Sequence, residues 1–224
     1  MTIYSVIAKT AVLAFFTHTI SAPTYNHQTG GSQNLRPLAT HEISLNDRST
    51  VKSVNDVFKD NILLTAFYLK NGRSAVSKRP NWDTVSQAFD YSITLYPEQV
   101  FAFHDGLMPD YKNRAVVTTN SHFDAGTGFK SDGYLFGDGV CHLASLMYWS
   151  AQDAGLETES PVDHNFSKIP GIPKEYGVSI YFHPNLPSAS ARQNLYITNN
   201  RHKPISFNLT YQNSTLSFSI SELK

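Results

Sequence analysis

Residues 137–156 read GDGVCHLASLMYWSAQDAGL and carry the clearest helical pattern in the chain. Leu143, Leu146, Met147, Ala151 and Ala154 fall on one face, and Gly155 stands where a left-handed cap ends a helix. Asp138 is the expected N-cap, so the spacing predicts a helix from about Gly139 to Ala154. Upstream, Val54, Val57, Phe58, Ile62, Thr65 and Phe67 keep helical spacing from about Ser53 to Lys70, with Asn71-Gly72 as a stop. Asn81 is placed to cap a short helix through Phe89. Ile93 to Phe103, broken at Tyr96-Pro97, reads as two short extended pieces.

Downstream the period changes. Gly177 to Phe182 and Asn194 to Thr198 look like strands. Ile205, Phe207, Leu209 and Tyr211, then Leu216, Phe218 and Ile220, alternate about a Gln212-Asn213-Ser214 turn, which predicts a hairpin. Helices in the first two-thirds and strands in the last third argue for an α+β domain. The helices pack on a mainly antiparallel sheet from the C-terminal third, and no βαβ alternation is expected.

At 224 residues the chain suits one main domain with a variable front end. Eighteen Lys and Arg balance eighteen Asp and Glu, so no overall field favours a nucleic-acid partner. Residues 1–22 have the order of a secretory signal peptide or weak membrane anchor: one Lys, an apolar run from Ala11 to Phe16, then small residues at Ser21 and Ala22. Export to an extracytoplasmic place, the cell envelope or the medium, is the expectation, with membrane contact at most through this segment. Residues 23–48 are polar, lack an apolar period and read as a linker, leaving 49–224 as the domain. The basic stretch from Arg73 to Pro80 reads as a solvated loop.

The chain has one cysteine, so an exported domain has nothing to pair it with. Cys141 falls in the first turn of the predicted helix, where unpaired N–H groups and the helix dipole favour a thiolate. A free thiol, with a pKa of about 8.5, is mostly protonated at neutral pH, so a nucleophilic role also wants a base. His142 is adjacent, but consecutive side chains on a helix diverge. His164, after the reversal that follows the helix, is the preferred base, with His142 or His122 next in line. Glu175 and Asp163 are the candidates for orienting its imidazole. The opposing reading is a buried, inert cysteine among unrelated histidines.

With these residues in view, Gly137 to Leu156 closely resembles the signature block of the VanW family. That block has a Gly-rich turn, Ile or Val, Cys, Gln or His, and a small-residue helix ending in Ala-Gly-Leu. Asp163-His164-Asn165-Phe166 resembles the family's His-Ser or His-Asn element, and Gly177 to Tyr181 its Ala-Thr-Val-Ser-Tyr strand. Asn199-Asn200 with Lys203-Pro204-Ile205 is similar to its closing strands. Asn61 to Gly72 and Pro97 to Phe103 extend the likeness to roughly residues 55–220. The chain departs from the pattern at Ala144, where many members have Ser, and at Tyr176, where many have an acidic residue. An insertion from about Arg73 to Tyr91 is a third departure.

The resemblance implies a cell-wall protein associated with a vancomycin-resistance family, some of whose members are cysteine L,D-transpeptidases of peptidoglycan. It implies Cys141 as nucleophile, His164 as base and Glu175 as orienting group, with Gly139, Val140 and His142 facing substrate. The Gly139 to Cys141 turn is the natural source of oxyanion donors. Peptidoglycan stem peptides are the implied partners, and neither cofactor nor metal is called for. Two alternatives remain: a peptidoglycan-binding module without turnover, and a cysteine amidase or peptidase on the same stems.

Overall fold

The computed structural model describes residues 35–72, 80–133 and 135–224. The signal segment 1–22, the first part of the linker and nearly all of the basic stretch lie outside them. The hairpin forms as its alternation predicts: β7 (Ile205–Gln212) and β8 (Thr215–Leu223) pair antiparallel from Ile205↔Glu222 to Gln212↔Thr215. Asn213 and Ser214, both at positive φ, make the two-residue turn, whose twist matches that of the strands. β2 (Phe89–Leu95) adds to the other edge of β7, in register from Phe89↔Tyr211 to Leu95↔Ile205.

The fourth strand of this sheet corrects the linker reading. Residues 35–44 form β1 (Leu35–Ser44), antiparallel to β8 from Leu35↔Leu223 to Ser44↔Thr215. Ile43, Leu45 and Arg48 are buried, and all described residues belong to one compact unit, Gln33–Lys224. The domain therefore starts at least fourteen residues before the expected boundary at 49, at Leu35 against Ser49. β1 is an edge strand in the order β1-β8-β7-β2. It is held by main-chain bonds to β8 and tolerates polar side chains and Pro37, where the register shifts.

A second sheet runs β4-β3-β6-β5: β3 (Val100–Ala102), β4 (Val116–Thr118), β5 (Glu157–Glu159) and β6 (Tyr196–Thr198), with only the β3/β4 pair parallel. β3 is buried on both faces. Phe101 enters the main core, while Val100 and Ala102 join Tyr111 and Tyr196 in a smaller cluster. The chain is thus α+β, with the strands of its C-terminal third forming an antiparallel sheet packed on helices.

Two helices do most of that packing. α1 (Lys52–Asn71) ends at Gly72, whose positive φ lets its N–H return to Tyr68 O at 2.8 Å. α3 (Val140–Asp153) lies against β1, β8 and α1 and buries Leu143, Leu146 and Met147. His41 of β1 stacks on Trp149 of α3, with ring centroids 3.5 Å apart, and its Nε2 lies 2.7 Å from Asp153. Between them α2 (Trp82–Val85) is capped by Asn81 as expected, through Asp83 N and Thr84 N. It stops four residues short of Phe89, which pairs with Tyr211 instead. α4 (Pro187–Arg192) precedes β6.

Candidate functional site

The turn before α3 needs two glycines. Gly137 and Gly139 have φ of 84° and 93°, and a Cβ on Gly139 would meet Phe58 Cα at 2.6 Å. Gly139 is therefore the N-cap, and it supplies no side-chain bond. Asp138, the expected cap, turns back so that its Oδ2 accepts from Asp132 N at 3.1 Å. Burial, with the carboxyl of Asp132 beside it, pushes Asp138 up to about 6. The loop it closes is pinned from α1. Asn61 Nδ2 donates to Lys130 O and Asp138 O, and its Oδ1 accepts from Lys130 N. A buried amide with all three bonds satisfied fixes where α3 begins.

Residues 177–182, expected as a strand, are extended but join no ladder beyond the Asp163↔Val178 bridge. The reason lies in α3. Val178 N–H donates to Ser145 Oγ at 2.9 Å, and Ile180 N–H points at Cys141 Sγ at 3.4 Å. The alternate groups, Ser179 N and Tyr181 N, donate to Val162 O and Gln193 O. Side chains one helical turn apart thus replace a neighbouring strand.

Cys141 is half-buried. Its Sγ lies between the N–H of Ile180 and the Ile180 carbonyl, 3.8 Å away, to which the S–H donates. Burial pushes the thiol up to about 11; the Ile180 N–H opposes this and Asp138 adds to it. The helix start was expected to favour thiolate, and burial outweighs it.

The main chain of this turn divides in two. Val140 N–H is taken by Gly137 O and His142 N–H by Gly139 O. The N–H groups of Gly139 and Cys141 have no main-chain acceptor among the described residues, and that of Cys141 lies against its own Sγ. The side chains of Val140 and His142 are buried, 3% and 5% exposed, so neither presents itself to a substrate.

His164 does not meet Cys141: neither ring nitrogen is within hydrogen-bonding distance of Sγ. Its ring lies edge-on to His142, centroids 6.3 Å apart, and under Phe166 at 3.9 Å. Nδ1 is 3.1 Å from Ser167 O. A carbonyl only accepts, so Nδ1 carries the proton and Nε2 is left as the basic nitrogen. Burial lowers the His164 pKa and keeps the ring neutral. The orienting group is this main-chain carbonyl, because Glu175 is exposed in the short turn Lys174–Tyr176 and does not touch the ring. Asp163, the other candidate, is exposed beside it.

A second histidine neighbourhood flanks the same extended segment. Phe182, two residues past Ile180, stacks on His122 at 4.0 Å and meets His104 edge-on at 5.3 Å. His122 Nε2 lies 2.8 Å from an oxygen of the Asp105 carboxylate. The sequence singled out His122 only as a substitute base, and nothing in the spacing linked it to Asp105. His104 is fully buried, and burial pulls it down to about 4.

Among the described residues no group of three His, Cys, Asp or Glu side chains could hold a metal ion. No family model, curated protein or solved structure matches the chain.

Proposed function

We propose that this domain transfers acyl groups on peptidoglycan stem peptides through a Cys141 thioester, in the manner of an L,D-transpeptidase. The observation that supports it best is the start of α3. There the Cys141 side chain shares a turn with the Gly139 and Cys141 N–H groups, neither of which has a main-chain acceptor among the described residues. Such donors suit the oxyanion of a tetrahedral intermediate, and losing one typically costs on the order of 10² to 10³ in rate. The thiol attacks the carbonyl of the stem's third residue and passes its proton to a histidine. The D-amino acid leaves with that proton, and an amine of a second stem resolves the thioester.

Because the resting thiol is protonated, the chemistry depends on a base. His164, neutral with Nε2 unprotonated, is the one expected from the sequence. It must approach Sγ when substrate displaces the Ile180 contact. Export through residues 1–22 belongs to the same proposal.

One observation favours the second reading, a stem-binding module without turnover: Sγ is already hydrogen-bonded to Ile180 and to no histidine. Intact mass after incubation with a disaccharide tetrapeptide separates them. Acyl transfer predicts an adduct lacking the terminal D-amino acid, absent from Cys141→Ser, and a cross-linked product when a second stem is supplied. Release of the D-amino acid without cross-link points to the hydrolase alternative. Binding without adduct or release overturns the enzyme reading.

A further inference from the structure

Residues 164–177 line a cavity of about 450 Å³ that has His164 in its lining. Its lining has an apolar part and a cationic part. Ile169 and Ile172 are each 5% exposed and form its buried wall, and Phe166 stands over His164 with 77% of its surface open. Lys168 and Lys174 are exposed lining residues, and no Asp or Glu lines the cavity.

The layer behind the wall is also poor in negative charge. Arg48 is almost fully buried, and its Nη1 donates to Pro170 O, in the loop between Ile169 and Ile172, at 2.8 Å. Its one carboxylate partner, Asp47, is largely in solvent. Arg48 Nε and His142 Nδ1 are buried without a hydrogen-bond partner among the described residues, and His142 packs edge-on against His164, a lining residue. A buried guanidinium with one exposed counter-ion leaves a positive field on this side of the loop. The chain neighbours Asp163 and Glu175 are exposed and outside the lining.

We propose that this cavity binds the C-terminal residue of a peptide, with the free carboxylate at Lys168 and Lys174 and the apolar side chain on Phe166, Ile169 and Ile172. Pockets of this size, mostly apolar with a few placed charges, suit one residue or a small ligand. The inference deepens the stem-peptide reading, on which it rests for the ligand being a peptide end.

The test is an NMR titration of the full-length chain with N-acetylphenylalanine, N-acetylphenylalanine amide and inorganic phosphate. The acid is expected to shift the amides of Ser167 to Lys174 saturably, and the carboxamide to bind roughly tenfold more weakly or worse. Lys168→Gln with Lys174→Gln, both exposed, should bring the acid down to the level of the carboxamide. Equal binding of acid and carboxamide, shifts confined elsewhere, or a full response to phosphate alone overturns the proposal. Cavity shifts without a Cys141 adduct leave the site standing and sink acyl transfer; an adduct without cavity shifts does the reverse.

Discussion

Ser145 and Cys141 sit one turn apart on α3 and serve neighbouring alternate N–H groups of one extended segment, yet they differ in what they can become. Ser145 Oγ is fully buried and accepts from Val178 N at a normal 2.9 Å. Cys141 Sγ is half-buried and takes the weaker contact with Ile180. The hydroxyl is a structural replacement for a missing strand. The thiol fills the same geometric role at the end of the row, with a sulfur acceptor that holds the N–H less strongly than a hydroxyl does. Under the proposed acyl transfer, a cysteine held in this way needs a base to activate it.

The comparison breaks most severely at the turn that holds both residues. Gly139→Ala adds a Cβ at positive φ against Phe58 Cα, and it should destabilise the domain by about 3 kcal/mol or more in urea unfolding. Ser145→Ala strands the fully buried Val178 N–H and should cost about 1–3 kcal/mol by the same measurement. Cys141→Ala, which removes the two weak sulfur hydrogen bonds to Ile180, should cost less than Ser145→Ala, about 1 kcal/mol, and leave the fold intact. If Cys141→Ala proves as damaging as Ser145→Ala, the two positions are equally structural and the distinction fails.

The adjoining face of that turn has the smallest effect at neutral pH. Burial, with Arg48 and His164 nearby, pulls His142 from 6.5 down to about 3. The unfolded chain therefore binds the proton first. The stabilising contribution is fully present above about pH 6.5 and is lost as pH falls towards 3. His142→Gln should change little at pH 7 and flatten the acid limb of a stability-versus-pH curve, with the slope due to His104 remaining. An unchanged limb would mean that His142 is already solvated.

Legibility in the sequence follows the same division. The β7–β8 hairpin and both long helices were readable because each buries a periodic apolar face that is local in sequence. β1 was missed because an edge strand is recruited by backbone bonds to β8, some 180 residues away, and needs few apolar side chains. The segment 177–182 has the composition of a strand, but Val178 and Ile180 take their partners from a helix. The glycine turn that places Cys141 in the first turn of α3 was legible. The roles given to Glu175 and Asp138 were not, because their replacements, the Ser167 carbonyl and the Gly139 backbone, carry no side-chain signal. Asn61 left only a polar residue in a helical pattern, and its three bonds to the loop before Cys141 depend on the fold.

The most direct measurement of the central claim, that Cys141 rests as a protonated thiol and is not a preformed thiolate, is the pH dependence of its alkylation by iodoacetamide in the folded protein. With one cysteine in the chain the signal is unambiguous. A midpoint near 11, well above that of a free thiol, is the predicted result. A midpoint below about 8.5 would contradict it and mean that the start of α3 generates the nucleophile without a base.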